Sequence, residues 1–178
     1  MLALRTLESD ELGRIGEIDR TEEIALGYRV RDGVLISEVI DRRAGPWSPE
    51  QVDAYVRRYV PEVDAGGLCA AAEEVSDAGR LAGVAILGSQ PVPAHPALLQ
   101  LLFFHVSRPY RRKGVGGQLF RLIETEAQHR GAAGMYISAA PTGSAVGFYL
   151  SRGARLIIPD PALLAAEPQD IHLALLFG

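Results

Sequence analysis

A chain of 178 residues with a formal net charge of −4 is long enough for one domain with a substantial core, and it offers no overall positive field for nucleic acid. Cys69 is the only cysteine, which excludes an internal disulfide and a thiolate metal cluster. No apolar run approaches the roughly 20 residues that span a bilayer, and Met1 to Thr6 followed by Glu8-Ser9-Asp10-Glu11 lacks the pattern of a secretory leader, so a cytoplasmic protein with no membrane partner is expected.

Leu2 to Arg5 reads as a first strand, and Ser9 to Arg20 as a helix with Leu12, Ile15 and Ile18 inward and Ser9 or Asp10 as cap. Tyr28 to Arg31 and Val34 to Ile40 alternate around Asp32-Gly33, a hairpin signal. Gly45 to Pro49 is a loop, and a helix starts at Ser48 or Pro49 and reaches about Val63. Leu68 to Val75 and Leu81 to Leu87 are strands joined by Ser76 to Arg80, and Pro91 to Pro96 reads as a loop. The apolar run Leu98 to Val106 is a strand, followed by a glycine-rich turn. Val115, Leu119, Leu122, Ile123 and Ala127 then recur at helical spacing up to Arg130-Gly131. Met135 to Ala139 is a buried strand, Ser144 to Ala154 holds a second helix, and Arg155 to Ile158 is a strand. Pro161 to Ala166 is a short helix, and Ile171 to Phe177 a last strand with an edge free for a homodimer. The expected fold is a single α/β (α+β) domain over residues 1 to 178, with one mixed, twisted sheet flanked by helices.

The chemistry concentrates at Arg111-Arg112-Lys113-Gly114-Val115-Gly116-Gly117. A strand, a glycine-rich turn and a helix start form a pyrophosphate site: glycines let the backbone approach, and the first helical N–H groups lack partners. The anion is expected on the amides of residues 112 to 117, helped by three cationic side chains. The nucleotide-triphosphatase and dinucleotide glycine patterns are both absent. Arg111-x-x-Gly114-x-Gly116 instead resembles the acyl-CoA signature of the GNAT acetyltransferase superfamily. Val106-Ser107-Arg108-Pro109-Tyr110 before it resembles that family's lead-in. Ser144-Ala145-Val146-Gly147-Phe148-Tyr149-Leu150-Ser151-Arg152-Gly153-Ala154 resembles its second motif, with Ser144 in an Asn place and Ala154 in a Phe place. The resemblance covers about residues 81 to 158 and fits the N-terminal third loosely.

The resemblance implies acetyl-CoA as acyl donor, no metal, and an amine of a small molecule or peptide as acceptor, attacked directly in a ternary complex. A non-catalytic acyl-CoA-binding or sensing module on the same fold is the alternative. The edge at Phe104, His105 and Val106 would take the pantetheine arm, with the Val106 amide facing the thioester carbonyl. Arg111, Arg112, Lys113, Gly114, Val115, Gly116 and Gly117 would hold the pyrophosphate, with Ser144 and Phe148 beside the cofactor. Tyr149 is the candidate catalytic acid, because a phenol arrives protonated and can donate to the departing thiolate; its alternative is aromatic core, the reading given to Phe148.

The base is open. The family's usual base positions hold Leu102 and Gln100, which do not titrate. Strict alternation puts Gln100, Leu102 and Phe104 on one face and His105 on the other, as a structural histidine. His95 reads as exposed in its loop, and His172 on the last strand is an outside candidate. Among acidic residues, Asp19, Glu22 and Glu23 at the end of the first helix and Glu38 on the hairpin are candidates for an amine acceptor, with Tyr28, Trp47 and Tyr55 as pocket wall or core. Cys69 reads as a small buried hydrophobe.

Overall fold

The computed structural model describes residues 1–75 and 79–178. A seven-stranded mixed sheet runs in the order β1-β4-β5-β6-β7-β9-β8, built from β1 (Leu2–Thr6), β4 (Leu68–Glu74), β5 (Leu81–Val92), β6 (His95–Val106), β7 (Gly134–Ala139), β8 (Arg155–Leu156) and β9 (Ile171–Leu176). The apolar residues of β4 and β5 form near-continuous runs because both faces of the sheet are covered. On one face α2 (Val115–His129) and α3 (Gly143–Leu150) pack Leu119, Ile123, Val146 and Tyr149 against Ala85, Leu99, Leu101 and Ile137. On the other, a 3-10 helix (Ser9–Glu17) and α1 (Pro49–Asp64) pack Leu12, Ile15 and Tyr59 against Ala71, Val84, Ile86 and Phe103. Cys69 lies in this second layer, where burial pushes its thiol up to about 12.

Several elements differ from the sequence reading. The first helix is a 3-10 helix that stops at Glu17, capped by Glu8 rather than Ser9 or Asp10. Gly13 and Gly16 weaken the α alternative, and the Glu11 carboxylate returns to the Glu8 N–H at 3.0 Å. The hairpin is longer than its alternation suggested, with β2 (Glu22–Arg31) and β3 (Val34–Ala44) forming a separate two-stranded sheet. Asp32 (φ 53°) and Gly33 (φ 75°) turn it, as a two-residue hairpin of this hand requires. Glu22 and Glu23 therefore sit on a strand, not on a helix end.

Pro91 to Pro96 is mostly strand. Pro91 pairs with Leu99 beside register shifts, where a missing N–H costs no regular ladder bond, and Val92 pairs with His95 across a short turn. His95 is accordingly not a loop residue: its Nε2 lies 2.7 Å from the Ile158 carbonyl and its ring stacks on Tyr136. Of the expected 76-to-80 connection, residues 76 to 78 lie outside the described residues. The chain returns through α4 (Pro161–Ala166) to insert β9 between β7 and β8, so the last strand is not a free edge; β1 and the two-residue β8 are the edges.

Candidate functional site

β6 and β7 run parallel and pair from Leu98↔Gly134 to Leu101↔Ile137, and then separate. Beyond that point β6 keeps only β5 as neighbour, through Phe103↔Ile86, Phe104↔Ala85, His105↔Val84 and Val106↔Gly83. The gap opens at the C-terminal end of the strand, directly before the glycine-rich turn. Ser107 donates its N–H to Ala82 O on β5 (2.9 Å), so the alternating backbone turns the Val106 N–H and C=O away from β5, toward the gap.

The turn is shaped for an anion. Arg112 (φ 60°) and Gly114 (φ 84°) are left-handed, and mixed-handed turns of this kind make successive N–H groups converge. Gln118 N–H closes the first helical bond on Gly114 O (3.1 Å); the N–H groups of residues 112 to 117 have no hydrogen-bond acceptor among the described residues. A side chain at Gly116 would place Cβ 3.3 Å from Phe148 Cε2 and 3.5 Å from Val106 Cγ2, so even a methyl would be tight there and would press on the Phe148 ring. Arg112 and Lys113 are exposed. Arg111 departs from the expectation of three cations facing the anion: its Nε donates to Val106 O (2.9 Å), Nη1 to Thr21 O (3.0 Å) and Nη2 to Asp19 O (3.4 Å). Three backbone carbonyls near one another draw the guanidinium to themselves. Its side chain thus fastens the turn to the segment after the 3-10 helix.

A bulge changes which β6 side chains share a face. The register shifts between the pairs Leu87↔Leu101 and Ile86↔Phe103, so Leu102 and Phe103 both pack toward the α1 layer. Leu99, Leu101, Phe104 and Val106 then face α2, while His105 faces Trp47 and Phe103, with ring centroids 4.8 Å and 4.7 Å away. Phe104 is therefore on the face opposite Leu102, contrary to strict alternation. Burial among these rings, with Arg20 and Arg111 nearby, lowers His105 to about 4.

Tyr149 projects from α3 toward Phe104, Phe120 and Phe148, with centroids 6.2, 6.0 and 5.3 Å away. It is only 6% exposed, and its hydroxyl makes no hydrogen bond among the described residues. Burial raises the phenol above its ordinary value, so it is protonated at neutral pH. Phe148 is half-buried beside Gly116 rather than deep in the core. Ser144 is exposed at the start of α3, its Oγ 3.2 Å from Thr142 Oγ1, the helix cap.

A cavity of about 690 Å³ lies between the hairpin and the segment around β8, α4 and β9. Tyr28, Glu38, Pro141, Ile157, Asp170 and His172 are among its lining residues. Of the acidic and aromatic acceptor candidates, Tyr28 and Glu38 both line it, whereas Glu22 lies 3.8 Å from Arg111 and Glu23 3.2 Å from Arg43. Their strand position points them to those cations instead. The Asp19 carboxylate is occupied by the N–H and hydroxyl of Thr21, which hold it below the usual range. Trp47 and Tyr55 pack into the α1 layer.

The acetyltransferase (GNAT) family model matches residues 35–154, two-thirds of the chain and both motif segments. The chain belongs to the GNAT acetyltransferase family. No curated protein matches significantly. Among solved structures, nourseothricin acetyltransferase superposes with a TM-score of 0.72 at 21% identity, covering 98% of each chain. A Bacillus anthracis protein in complex with acetyl coenzyme A gives 0.68 at 16% identity, covering 100% of this chain and 98% of that one. The PaiA N-acetyltransferase of Thermoplasma acidophilum, in complex with coenzyme A, gives 0.63 at 16% identity, covering 99% of each. These share the GNAT fold with this chain along its whole length, including the N-terminal third where the sequence motifs are silent.

Two residues of this GNAT domain escaped the sequence reading. Arg152 lies over the Phe148 ring, its guanidinium carbon 3.5 Å from the centroid, and a Cβ on Gly117 would come 3.5 Å from its Nη2. Its spacing four residues after Phe148 was the available signal. Tyr136 reads only as a strand residue, yet its hydroxyl lies 2.7 Å from His172 Nδ1. No helix among the described residues is long and apolar enough to cross a membrane.

Proposed function

We propose that this protein moves the acetyl group of acetyl-CoA to an amine by direct attack in a ternary complex. The observation that carries this reading is the gap between β6 and β7 opening onto a turn with six unpaired N–H groups. A diphosphate on residues 112 to 117 would direct the pantetheine arm along Phe104, His105 and Val106 into that gap. The thioester carbonyl would then accept the Val106 N–H, which stabilises the oxyanion as the amine adds. Collapse breaks the carbon–sulfur bond, and Tyr149 donates its proton to the departing sulfur.

The amine must lose a proton before it attacks. With His105 lowered to about 4, this ring does not take a proton from an ammonium group near neutral pH. Gln100 does not titrate, so deprotonation falls to solvent or to a group lining the cavity. That absence is what favours the second reading, a module that binds acyl-CoA without transferring the group. The experiment that separates them is free-thiol release from acetyl-CoA over a panel of primary amines, beside calorimetric binding of acetyl-CoA. Amine-dependent release is expected. Tight binding with no release from any amine selects the module, and no binding removes both.

A further inference from the structure

We infer that His172 is a specificity-determining donor: its Nε2–H recognises a carbonyl oxygen on the amine that occupies the 690 Å³ cavity. The inference rests on the acetyl-transfer reading and narrows its acceptor to a small molecule bearing both an amine and an amide or carboxylate carbonyl.

The imidazole is 4% exposed, on β9 opposite Ser138. Its Nδ1 lies 2.7 Å from the Tyr136 hydroxyl oxygen, and that oxygen accepts the Asp160 N–H at 3.0 Å. A phenol has a single proton. The hydroxyl oxygen has a second lone pair, but if Nδ1 carried the proton and donated to it, the buried Tyr136 O–H would have no acceptor of its own among the described residues. The arrangement that pairs every group points the O–H at Nδ1 and makes Nδ1 the acceptor. Ser138 Oγ, 3.4 Å from Nδ1, adds a second, weaker neighbour. Burial raises the Tyr136 phenol and so keeps this donor protonated. With the Nδ1 lone pair engaged, the ring proton of the neutral imidazole belongs on Nε2.

Nε2 is buried and has no partner among the described residues. Buried polar groups are rarely left so. Nor does a carboxylate pair with the ring: Asp170 and Glu38 line the same cavity, but neither forms a hydrogen bond or ion pair with His172 among the described residues, and Glu38 lies 3.5 Å from Arg29. Asp160 accepts the N–H groups of Ala94, Ala162 and Leu163, and Glu167 pairs with Arg58 at 2.7 Å. Desolvation lowers His172 below its ordinary value, against a smaller opposing pull from Glu167 and Asp160. The group offered is therefore a neutral N–H donor. It complements an oxygen lone pair and leaves an ammonium unrecognised. The apolar walls at Ile40, Ile157 and Leu164, beside the polar side chains of Tyr28, Glu38 and Asp170, suit a compact organic molecule that carries polar groups, and a cavity of this volume is the size that such ligands fill.

The test is side-chain ¹⁵N NMR of the full-length protein, with His172 assigned by the His172→Gln variant. The expected state at pH 7 is a neutral ring protonated on Nε2, with Tyr136→Phe removing that preference. Two matched amine pairs, L-lysinamide with cadaverine and L-phenylalaninamide with phenethylamine, are then titrated in; the members of each pair differ only in a carboxamide group, which supplies the carbonyl. The carbonyl-bearing member of at least one pair should shift the Nε2 resonances, and the carbonyl-free members should not. His172→Phe should reduce the preference for that member about tenfold or more. An Nδ1-protonated or charged ring at pH 7, or equal or absent response to both members of both pairs, overturns the inference. Acetyl transfer failing with every amine while the selective shift persists would instead fail the transfer reading.

Discussion

At the scale of single residues, the Tyr149 hydroxyl decides how much of the chemistry resides in a side chain. Tyr149→Phe keeps the ring among Phe104, Phe120 and Phe148, and it removes a hydroxyl with no internal hydrogen bond to lose. The melting temperature should stay within a degree or two. If the phenol donates to the thiolate, kcat should fall about a hundredfold with the KM for acetyl-CoA nearly unchanged, because the interaction exists only in the transition state. Steady-state kinetics and a melting curve on this variant check both expectations. His105 gives the opposite result: lowered to about 4, it is neutral wherever the enzyme is assayed. His105→Asn should keep most activity, with the ascending limb of the pH–rate profile in place. Loss of that limb would make His105 the base.

Among the elements, the turn before α2 is the most legible in its conformation, because that conformation is carried by backbone and by glycine. Gly114 needs its left-handed φ of 84°, and at Gly116 a Cβ would already lie 3.3 Å from Phe148, with a larger side chain reaching further. Gly116→Leu should weaken acetyl-CoA binding tenfold or more, about 1.4 kcal/mol, by titration calorimetry. Gly114→Val adds left-handed strain and should lower stability as well as affinity. The helical spacing of Val115, Leu119 and Ile123 likewise fixed which face of α2 is buried. What stayed illegible depends on partners distant in sequence. The bulge at Leu102 arises from the pairing of β6 with β5, and it reverses the side on which His105 lies relative to strict alternation. Arg111 reads as an anion ligand until its neighbours at Asp19 and Thr21 are known. Glu22 and Glu38 looked alike as acidic candidates, and only the length and placement of the hairpin separate them.

Over the whole molecule, the lowered groups give the protein a defined acid response. His105 falls from 6.5 to about 4 and Glu11 from 4.5 to about 2, the latter under the hydrogen bonds of Arg5 and the Glu8 N–H. In both cases the unfolded chain binds protons that the folded one refuses, so stability declines as pH falls. The histidine contribution is complete above about pH 6.5 and lost toward 4; the carboxylate contribution is complete above about 4.5 and lost toward 2. Asp170, pushed up to about 6 by burial and Glu167, opposes the histidine slope between about 4 and 6. His105→Asn should therefore make the drop in melting temperature between pH 7 and pH 5 smaller than in the parent, as measured by calorimetry. The hairpin has a different consequence. It shares no ladder with the seven-stranded sheet and is fastened to it beside Pro141, through the Tyr28 N–H at 3.1 Å and the Gly27–Thr142 bridge. Arg29, Val30, Glu38, Ile40 and Arg42 reach the cavity from it, and no residue of the turn before α2 lines it. On the reading that this cavity takes the acceptor, descendants of this chain can exchange one clientele of small molecules for another by drift along two strands. The turn proposed for the donor contributes none of these residues, and Gly143, where a Cβ would meet Leu26 Cβ at 2.9 Å, is the fixed point of that drift.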